Sequence, residues 1–171
     1  MNKTLKLVIF LSLISALSGT ALSYVNSLTE PVIEQNAITK ENNNLQAIVP
    51  NGTFESIDFT DDSGYVETVY KVENTGYIFK CSGLGFNTSS PITFLIAFDN
   101  DGNTIGYQVI DQQETNGFGS KIEEEPFIEN VMSKTVDQEI DLITGATFSS
   151  TAVKNGIDAA KVVFAQVKDG E

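Results

Sequence analysis

An uncharged, apolar stretch near the N-terminus sets the first limit on how this chain folds. Residues 7–29 contain no charged side chain, and two lysines, Lys3 and Lys6, precede them. As an α-helix, the most apolar part would be about 28 Å long, against a hydrocarbon thickness of about 30 Å in a bilayer. The stretch therefore predicts one transmembrane helix over residues 7–25.

The charges beside this stretch predict which side of the membrane the rest of the chain occupies. Because Lys3 and Lys6 are on the short N-terminal side, residues 1–6 are expected in the cytoplasm and everything after residue 25 outside it. A cleavable signal peptide is the alternative, since the small residues near Ala16 and Ala21 resemble cleavage sites. The length of the apolar run favours an anchor. Both alternatives export the remaining chain.

The composition excludes several kinds of site. The chain has no His, no Arg and no Trp, and Cys81 is its single cysteine. His-based metal sites, Ser-His-Asp catalysis and multi-cysteine clusters are therefore unavailable, and we expect no metal site, no catalytic residue and a buried Cys81. With 23 acidic residues against 10 lysines the net charge is -13, which argues against nucleic acid as a partner.

The spacing of apolar residues predicts an α+β domain. Residues 26–50 form a predicted juxtamembrane helical segment that fades in the polar run 41–44. A mainly antiparallel sheet packed by helices is expected in an extracytoplasmic domain of residues 51–171, because the apolar period then changes towards two. A hairpin is predicted at residues 99–102, and a final helix with an apolar stripe over about 150–167. The predicted strands are residues 65–72, 77–80, 92–98 and 104–110.

A cluster of small and hydroxyl-bearing residues, 141–150 (DLITGATFSS), lies between a predicted strand and this final helix. Gly145 and Ala146 leave the backbone uncrowded, so Thr147 can present its hydroxyl to a bulky group. The helix that follows offers unpaired N–H groups and a positive dipole end, which suit a phosphate. The alternative is an ordinary helix cap without chemistry, since Ser and Thr are favoured at helix starts.

Within this cluster, the run DxxTGAT at residues 141–147 resembles the motif of FMN-binding domains in the G subunit of Rnf electron-transport complexes and the C subunit of sodium-pumping NADH:quinone reductases. The resemblance implies that an ApbE-type flavin transferase joins FMN covalently, through its phosphate, to the hydroxyl of Thr147. The other residues that match the family's pattern are Asp141, Thr144, Gly145, Ala146, Ser149 and Ser150. The first four would form the sequence that the transferase reads.

A second segment, residues 114–122 (ETNGFGSKI), is similar to the Glu-Thr-Pro-Gly-Leu-Gly segment of the same family, although taken alone it would be a plain Asn-Gly turn. Asn116 stands where Pro is usual, and Phe118 where Leu is usual. Either Lys121 or the backbone N–H groups of Gly117 and Gly119 are expected to favour the negative charge of reduced flavin; the alternative for Lys121 is a solvated surface residue. By this resemblance, the residues expected in the cofactor pocket are Glu114, Thr115, Gly117 and Gly119.

The resemblance implies a redox role. It identifies the chain as an RnfG-type subunit, an electron carrier in a complex that passes electrons between ferredoxin and NAD⁺ while moving Na⁺ or H⁺. The expected partners are the membrane, other Rnf-type membrane subunits, above all a D-type flavin subunit, and the flavin transferase. Two alternatives remain open at this point: an exported flavoprotein that serves a different reductase or acceptor, and a non-redox exported binding domain in which Thr147 is only a cap.

Overall fold

The N-terminal part of the chain forms a single long helix. The computed structural model describes residues 2–169, and its first helix, α1, covers Lys3–Ile48. By length and composition this helix is able to cross a membrane, and its most apolar part is not buried. The sequence correctly indicated a candidate membrane helix in this region.

The helix does not fade in the polar run 41–44, as the sequence predicted. It continues to Ile48, and the chain divides into two compact units between Asn43 and Asn44. Leu45 is 1% exposed and belongs, with Ile48 packed beside it, to an apolar cluster of the second unit. Burial of such a leucine stabilises by about 1.5–3 kcal/mol, which offsets the low helix propensity of the preceding asparagines.

The second unit contains an antiparallel sheet whose strands follow one another in chain order. The four predicted strands are all present, and the hairpin predicted at residues 99–102 joins the last two of them. The first strand was not predicted, because its sequence, FESI, does not alternate and none of its residues is fully buried. Among the described residues, the strands are β1 (Phe54–Ile57), β2 (Val66–Val72), β3 (Gly76–Gly83), β4 (Ile92–Asp99) and β5 (Thr104–Asp111).

Helical segments follow the sheet. They are a 3₁₀ turn at Gly119–Glu123, α2 at Glu125–Met132 and α3 at Thr147–Asp169. The apolar stripe predicted on the final helix is confirmed, since Val153, Ile157, Ala160 and Phe164 are all buried. Helix α3 begins a few residues earlier than predicted, and this places Thr147 in its first turn. The sequence predicted neither α2 nor the 3₁₀ turn.

Apolar side chains fill the two faces of the sheet. On one face, α2 and α3 cover a cluster that contains Phe79 and Phe94. Cys81 lies in the same cluster, fully buried as expected, and burial raises the pKa of its thiol. On the other face, the last turn of α1 packs in a second cluster with Ile78 and Leu95. The position of α3 on the sheet fixes where its first turn points.

The strand predicted just before residue 141 is not present. Residues 139–143 are irregular, and Ile140 is buried between exposed neighbours. Instead of joining the sheet, the backbone at Asp141 bonds to a side chain of α2. The Asn130 amide donates to the Asp141 carbonyl at 2.9 Å, and the Asp141 N–H donates to Asn130 Oδ1 at 3.3 Å. These bonds replace the strand ladder that the sequence pattern suggested.

Candidate functional site

Two segments that are distant in the sequence line one cavity of about 300 Å³. One is the segment after β5, and the other is the start of α3; the loop between β3 and β4 adds Phe86. We call this space the aromatic cavity. Its lining residues are Phe86, Glu114, Thr115, Phe118, Gly119, Gly145, Ala146, Thr147, Phe148 and Ser149. The structure thus brings together most of the residues that the sequence singled out.

Each of these two segments enters the aromatic cavity through a turn that requires glycine. Gly145 has φ +86°, and the Ala146 N–H donates to the Ile143 carbonyl at 3.0 Å. Gly117 has φ +76°, and the Phe118 N–H donates to the Thr115 carbonyl at 3.1 Å. A Cβ at either glycine would meet open space, so the positive φ, rather than lack of room, demands glycine.

Thr147 is exposed at the beginning of α3, on the wall of the aromatic cavity. The first helical bond runs from the Ser150 N–H to the Ala146 carbonyl at 2.9 Å, so Thr147 already lies inside the helix. Ser150 Oγ accepts a bond from the Ile143 N–H at 3.2 Å and so ties the turn to the helix. Within residues 2–169 the Thr147 hydroxyl makes no hydrogen bond, so it does not act as a helix cap here.

Glu114 is a buried acidic residue in the lining of the cavity, with 8% of its surface exposed. Its carboxylate accepts hydrogen bonds from Ser149 Oγ at 2.6 Å, from the Phe86 N–H at 3.2 Å and from the Asn87 N–H at 3.0 Å. The carboxylate therefore connects the β3–β4 loop to the first turn of α3. Charge-assisted bonds of this kind are about twice as strong as neutral ones.

Three phenylalanine side chains on the cavity wall are unusually exposed: Phe86 at 68%, Phe118 at 61% and Phe148 at 69%. The ring centroids of Phe86 and Phe148 lie 6.1 Å apart. Exposed apolar groups clustered in one concave place mark a binding site. The sequence pattern predicts no role for these rings, because it does not show which side chains are exposed; the shared Gly-Phe pairs at 85–86 and 117–118 are the available signal.

Lys121 and Asp141 lie on a different cavity, of about 280 Å³, which we call the charged cavity. Its lining residues are Lys121, Glu124, Pro126, Phe127, Asn130, Asp141, Leu142 and Ile143. Asp141 also forms an ion pair with Lys134 at 3.4 Å, with its own side chain 83% exposed. The structure therefore does not bring Lys121 and Asp141 to the wall that carries Thr147.

The remaining predicted residues have mixed positions. Thr144 is exposed in the turn before the cavity, next to Gly145. The Gly117 N–H donates to Ser120 Oγ at 2.9 Å, so this donor is already used within the protein. Ser149 and Ser150 are buried and bond inside the fold, so their hydroxyls support the wall and do not face solvent.

The aromatic cavity is poor in positive charge. Of the described residues that line it, none is a lysine, and Glu114 carries a carboxylate. The chain as a whole has a net charge of -13. The N–H groups of the first turn of α3, which have no partner within the helix, are an electropositive feature beside Thr147. A free anion would therefore be held weakly at this place.

Comparisons with known proteins agree with this geometry. Residues 87–161 match the family model of the FMN-binding domain, a stretch that includes both segments of the cavity wall. The chain is 24% identical over 156 residues to the G subunit of the proton-translocating ferredoxin:NAD(+) oxidoreductase complex of Clostridium ljungdahlii, and the match covers 84% of this chain and 82% of that protein. Residues 87–161 are therefore similar to the FMN-binding domain, and the chain as a whole is similar to the G subunit of an Rnf-type complex.

Proposed function

We propose that the domain carries FMN covalently on Thr147 and works as an electron carrier in an Rnf-type complex. The observation that carries the proposal is the position of Thr147. Thr147 is exposed on the wall of an aromatic cavity, its hydroxyl bonds to none of the residues that the structure describes, and it lies in the first turn of a helix whose N–H groups favour a phosphate.

The aromatic cavity suits the two ends of FMN. Its volume of about 300 Å³ is at the lower end of the usual range for small-molecule sites, so a ring held there would remain partly exposed. Phenylalanine rings offer flat apolar contact to a flavin ring, while the start of α3 offers N–H groups to a phosphate. When bound, FMN supplies one- and two-electron transfer, and the protein needs only to hold, orient and partly shield it.

A covalent bond would retain the cofactor despite the electrostatic repulsion between this acidic protein and the FMN phosphate. With no lysine among the described lining residues and a net charge of -13, a dissociable FMN dianion is repelled. A tether keeps the cofactor at high local concentration whatever its intrinsic affinity. Attachment also leaves the phosphate with a single negative charge beside the N–H groups of α3.

The attachment needs an activated flavin. In the proposed step, Thr147 Oγ forms a bond to the flavin-side phosphorus of a flavin dinucleotide, the pyrophosphate bond breaks, AMP leaves and the hydroxyl loses its proton. A separate ApbE-type transferase would catalyse this step and would read the DxxTGAT run from Asp141 to Thr147. The exposure of Asp141 and Thr144 leaves that run accessible to another protein.

The same proposal includes the membrane and the partners. Residues 7–25 of α1 would span the membrane, with residues 1–6 in the cytoplasm, residues 26–50 as a juxtamembrane segment and the FMN-binding domain outside. Other Rnf-type membrane subunits, above all a D-type flavin subunit, would exchange electrons with it while Na⁺ or H⁺ is moved. The apolarity and length of α1 support the anchor.

Intact-mass measurement tests the covalent link. The full-length protein is made with and without a co-expressed flavin transferase, as wild type, Thr147→Ala and Thr147→Ser. We expect an FMN-sized adduct and a fluorescent band in denaturing gels for the wild type and for Thr147→Ser, only when the transferase is present. Thr151→Ala, in the same helix, is the matched control and should keep the adduct. An adduct that persists in Thr147→Ala would contradict the proposal.

A further inference from the structure

We propose that Phe86 and Phe148 form the platform on which the isoalloxazine ring of FMN rests, and that the buried Glu114 carboxylate holds this pair in place. The inference rests on the proposed function, because it names the residues that would hold the ring of the cofactor attached at Thr147. It assigns Glu114 to positioning and not to contact with the cofactor.

The exposure of the two rings is the first argument. Phe86 and Phe148 are 68% and 69% exposed, yet their centroids are only 6.1 Å apart and their planes are inclined at 56°. Phe118, 61% exposed, adds a third ring to the lining of the same cavity. Exposed phenylalanines have no hydrogen-bonding group to satisfy in water, and a flat aromatic ligand would cover them.

The position of Phe148 beside Thr147 is the second argument. A cofactor bonded to Thr147 Oγ would have its phosphate at the first turn of α3. The next residue along the chain is Phe148, whose phenyl ring is therefore close to the attachment point. Phe86 enters from the β3–β4 loop and lies against Phe148. The ring of a tethered flavin is therefore confined to a place where these side chains are already gathered.

The hydrogen bonds of Glu114 are the third argument. One carboxylate oxygen accepts the N–H of Phe86 itself and the hydroxyl of Ser149, the neighbour of Phe148. A single side chain thus bonds to the backbone of one platform residue and to the residue next to the other. Since these bonds cross from the β3–β4 loop to α3, they fix the distance between the two rings.

The surroundings of Glu114 leave it little freedom. A Cβ on Gly85 would lie 2.6 Å from Glu114 Oε1, and a Cβ on Gly119 would lie 2.5 Å from Glu114 Oε2. Glycine at these two positions allows the backbone to close around the carboxylate. With its oxygens engaged by Ser149, Phe86 and Asn87, the carboxylate is not available to a ligand, and its charge would repel a phosphate.

Riboflavin is the probe that separates the ring from the covalent bond, because it has the isoalloxazine ring but no phosphate. Full-length protein in detergent, made without the transferase, is titrated into riboflavin, and quenching of flavin fluorescence gives the dissociation constant. We expect the wild type and Thr151→Ala, a variant outside the cavity lining, to bind equally. Phe86→Ala and Phe148→Ala should each bind about tenfold more weakly, as expected for loss of one aromatic stacking partner.

The control for these variants is Leu142→Ala, which removes an exposed apolar side chain from the charged cavity and should leave riboflavin affinity unchanged. The role of Glu114 is tested by a double-mutant cycle. Glu114→Gln should weaken riboflavin binding severalfold in the wild type but not in a Phe86→Ala/Phe148→Ala background, because Glu114 acts through those rings. A residue with a general effect on folding would weaken binding equally in both backgrounds.

The outcomes distinguish this inference from the proposed function. Wild-type affinity in both phenylalanine variants, or a wild type that does not quench riboflavin, would overturn the platform while leaving the adduct on Thr147 standing. An equal effect of Glu114→Gln in both backgrounds would overturn its positioning role. An adduct retained in Thr147→Ala would overturn the covalent link, while loss of riboflavin binding in the phenylalanine variants would still support the platform.

Discussion

The aromatic cavity and the charged cavity have almost the same volume, about 300 and 280 Å³, but different chemistry. The first is lined by phenylalanines and carries Thr147, whereas the second is lined by Lys121, Glu124 and Asp141. The DxxTGAT run passes from the second cavity to the first, with Gly145 at the turn between its two ends. The two ends of this continuous motif therefore have different roles: the backbone of Asp141 binds to α2, and Thr147 presents its hydroxyl at the cavity wall.

The largest expected effect comes from adding a side chain beside Glu114 in the lining of the aromatic cavity. In Gly119→Ala the new Cβ would lie 2.5 Å from Glu114 Oε2 and 2.7 Å from Ser149 Oγ. We expect the free energy of unfolding to fall by about 1–3 kcal/mol, as for other overpacked sites, and riboflavin binding to be lost. Chemical denaturation and fluorescence titration measure the two effects. Wild-type values in both would show that the carboxylate is free to move.

The turn between the cavities gives the second effect. Gly145→Ala forces a residue with a Cβ into φ +86°, and Gly117→Ala does the same at φ +76°, with open space around each new methyl group. Each variant should lose about 1–2 kcal/mol of unfolding free energy, because the left-handed conformation disfavours a Cβ. Only Gly145→Ala should also slow formation of the adduct on Thr147. Equal rates of adduct formation in Gly145→Ala and Gly117→Ala would show that the turn at Gly145 has no special role in presenting Thr147.

The fastening of the loop to α2 gives the third effect. Asn130→Ala removes two hydrogen bonds to the backbone of Asp141, so the free energy of unfolding should fall by about 1 kcal/mol. Asp141→Ala keeps those backbone bonds and breaks only the exposed ion pair with Lys134, which should cost less than about 1 kcal/mol. Urea unfolding of both variants decides the order. A larger loss in Asp141→Ala would reverse the assignment of structural roles.

The smallest effect is expected from the lysine that the sequence placed near the flavin. Lys121 lies on the charged cavity, so Lys121→Gln should change riboflavin affinity by less than about twofold and leave the flavin midpoint potential in place. Lys134→Gln, on the same side of the domain, is the matched control. A clear shift in potential for Lys121→Gln alone would restore the electrostatic role.

Local patterns were sufficient to predict most of the fold. Strands β2 to β5 have alternating or continuous apolar runs ended by turn residues, and α3 has a clear apolar stripe. Two further differences from the predictions arise from distant contacts. The last turn of α1 persists because Leu45 is buried against the sheet, and the irregular chain at Asp141 is held by Asn130. Such contacts have no local signature.

The candidate site was predictable only where its residues belong to a local sequence motif. The motif located Thr147, and the glycines showed where the backbone turns. The exposure of Phe86, Phe118 and Phe148 depends on how the β3–β4 loop meets α3, which no spacing in the sequence specifies. Lys121 is only two residues after Gly119 of the aromatic cavity, but it lies in the 3₁₀ turn and lines the other cavity. Nearness in sequence was therefore a poor guide to nearness in space.

The end of α1 has a consequence for where the chain tolerates proteolytic cleavage. Because Leu45 packs with Ile78 and Leu95, a protease that cuts among the exposed residues 26–40 would release a fragment that keeps its second apolar cluster. A cut after Ile48 would instead remove a buried turn and uncover the sheet. The released C-terminal fragment is thus expected to stay folded only when it retains the final turns of α1.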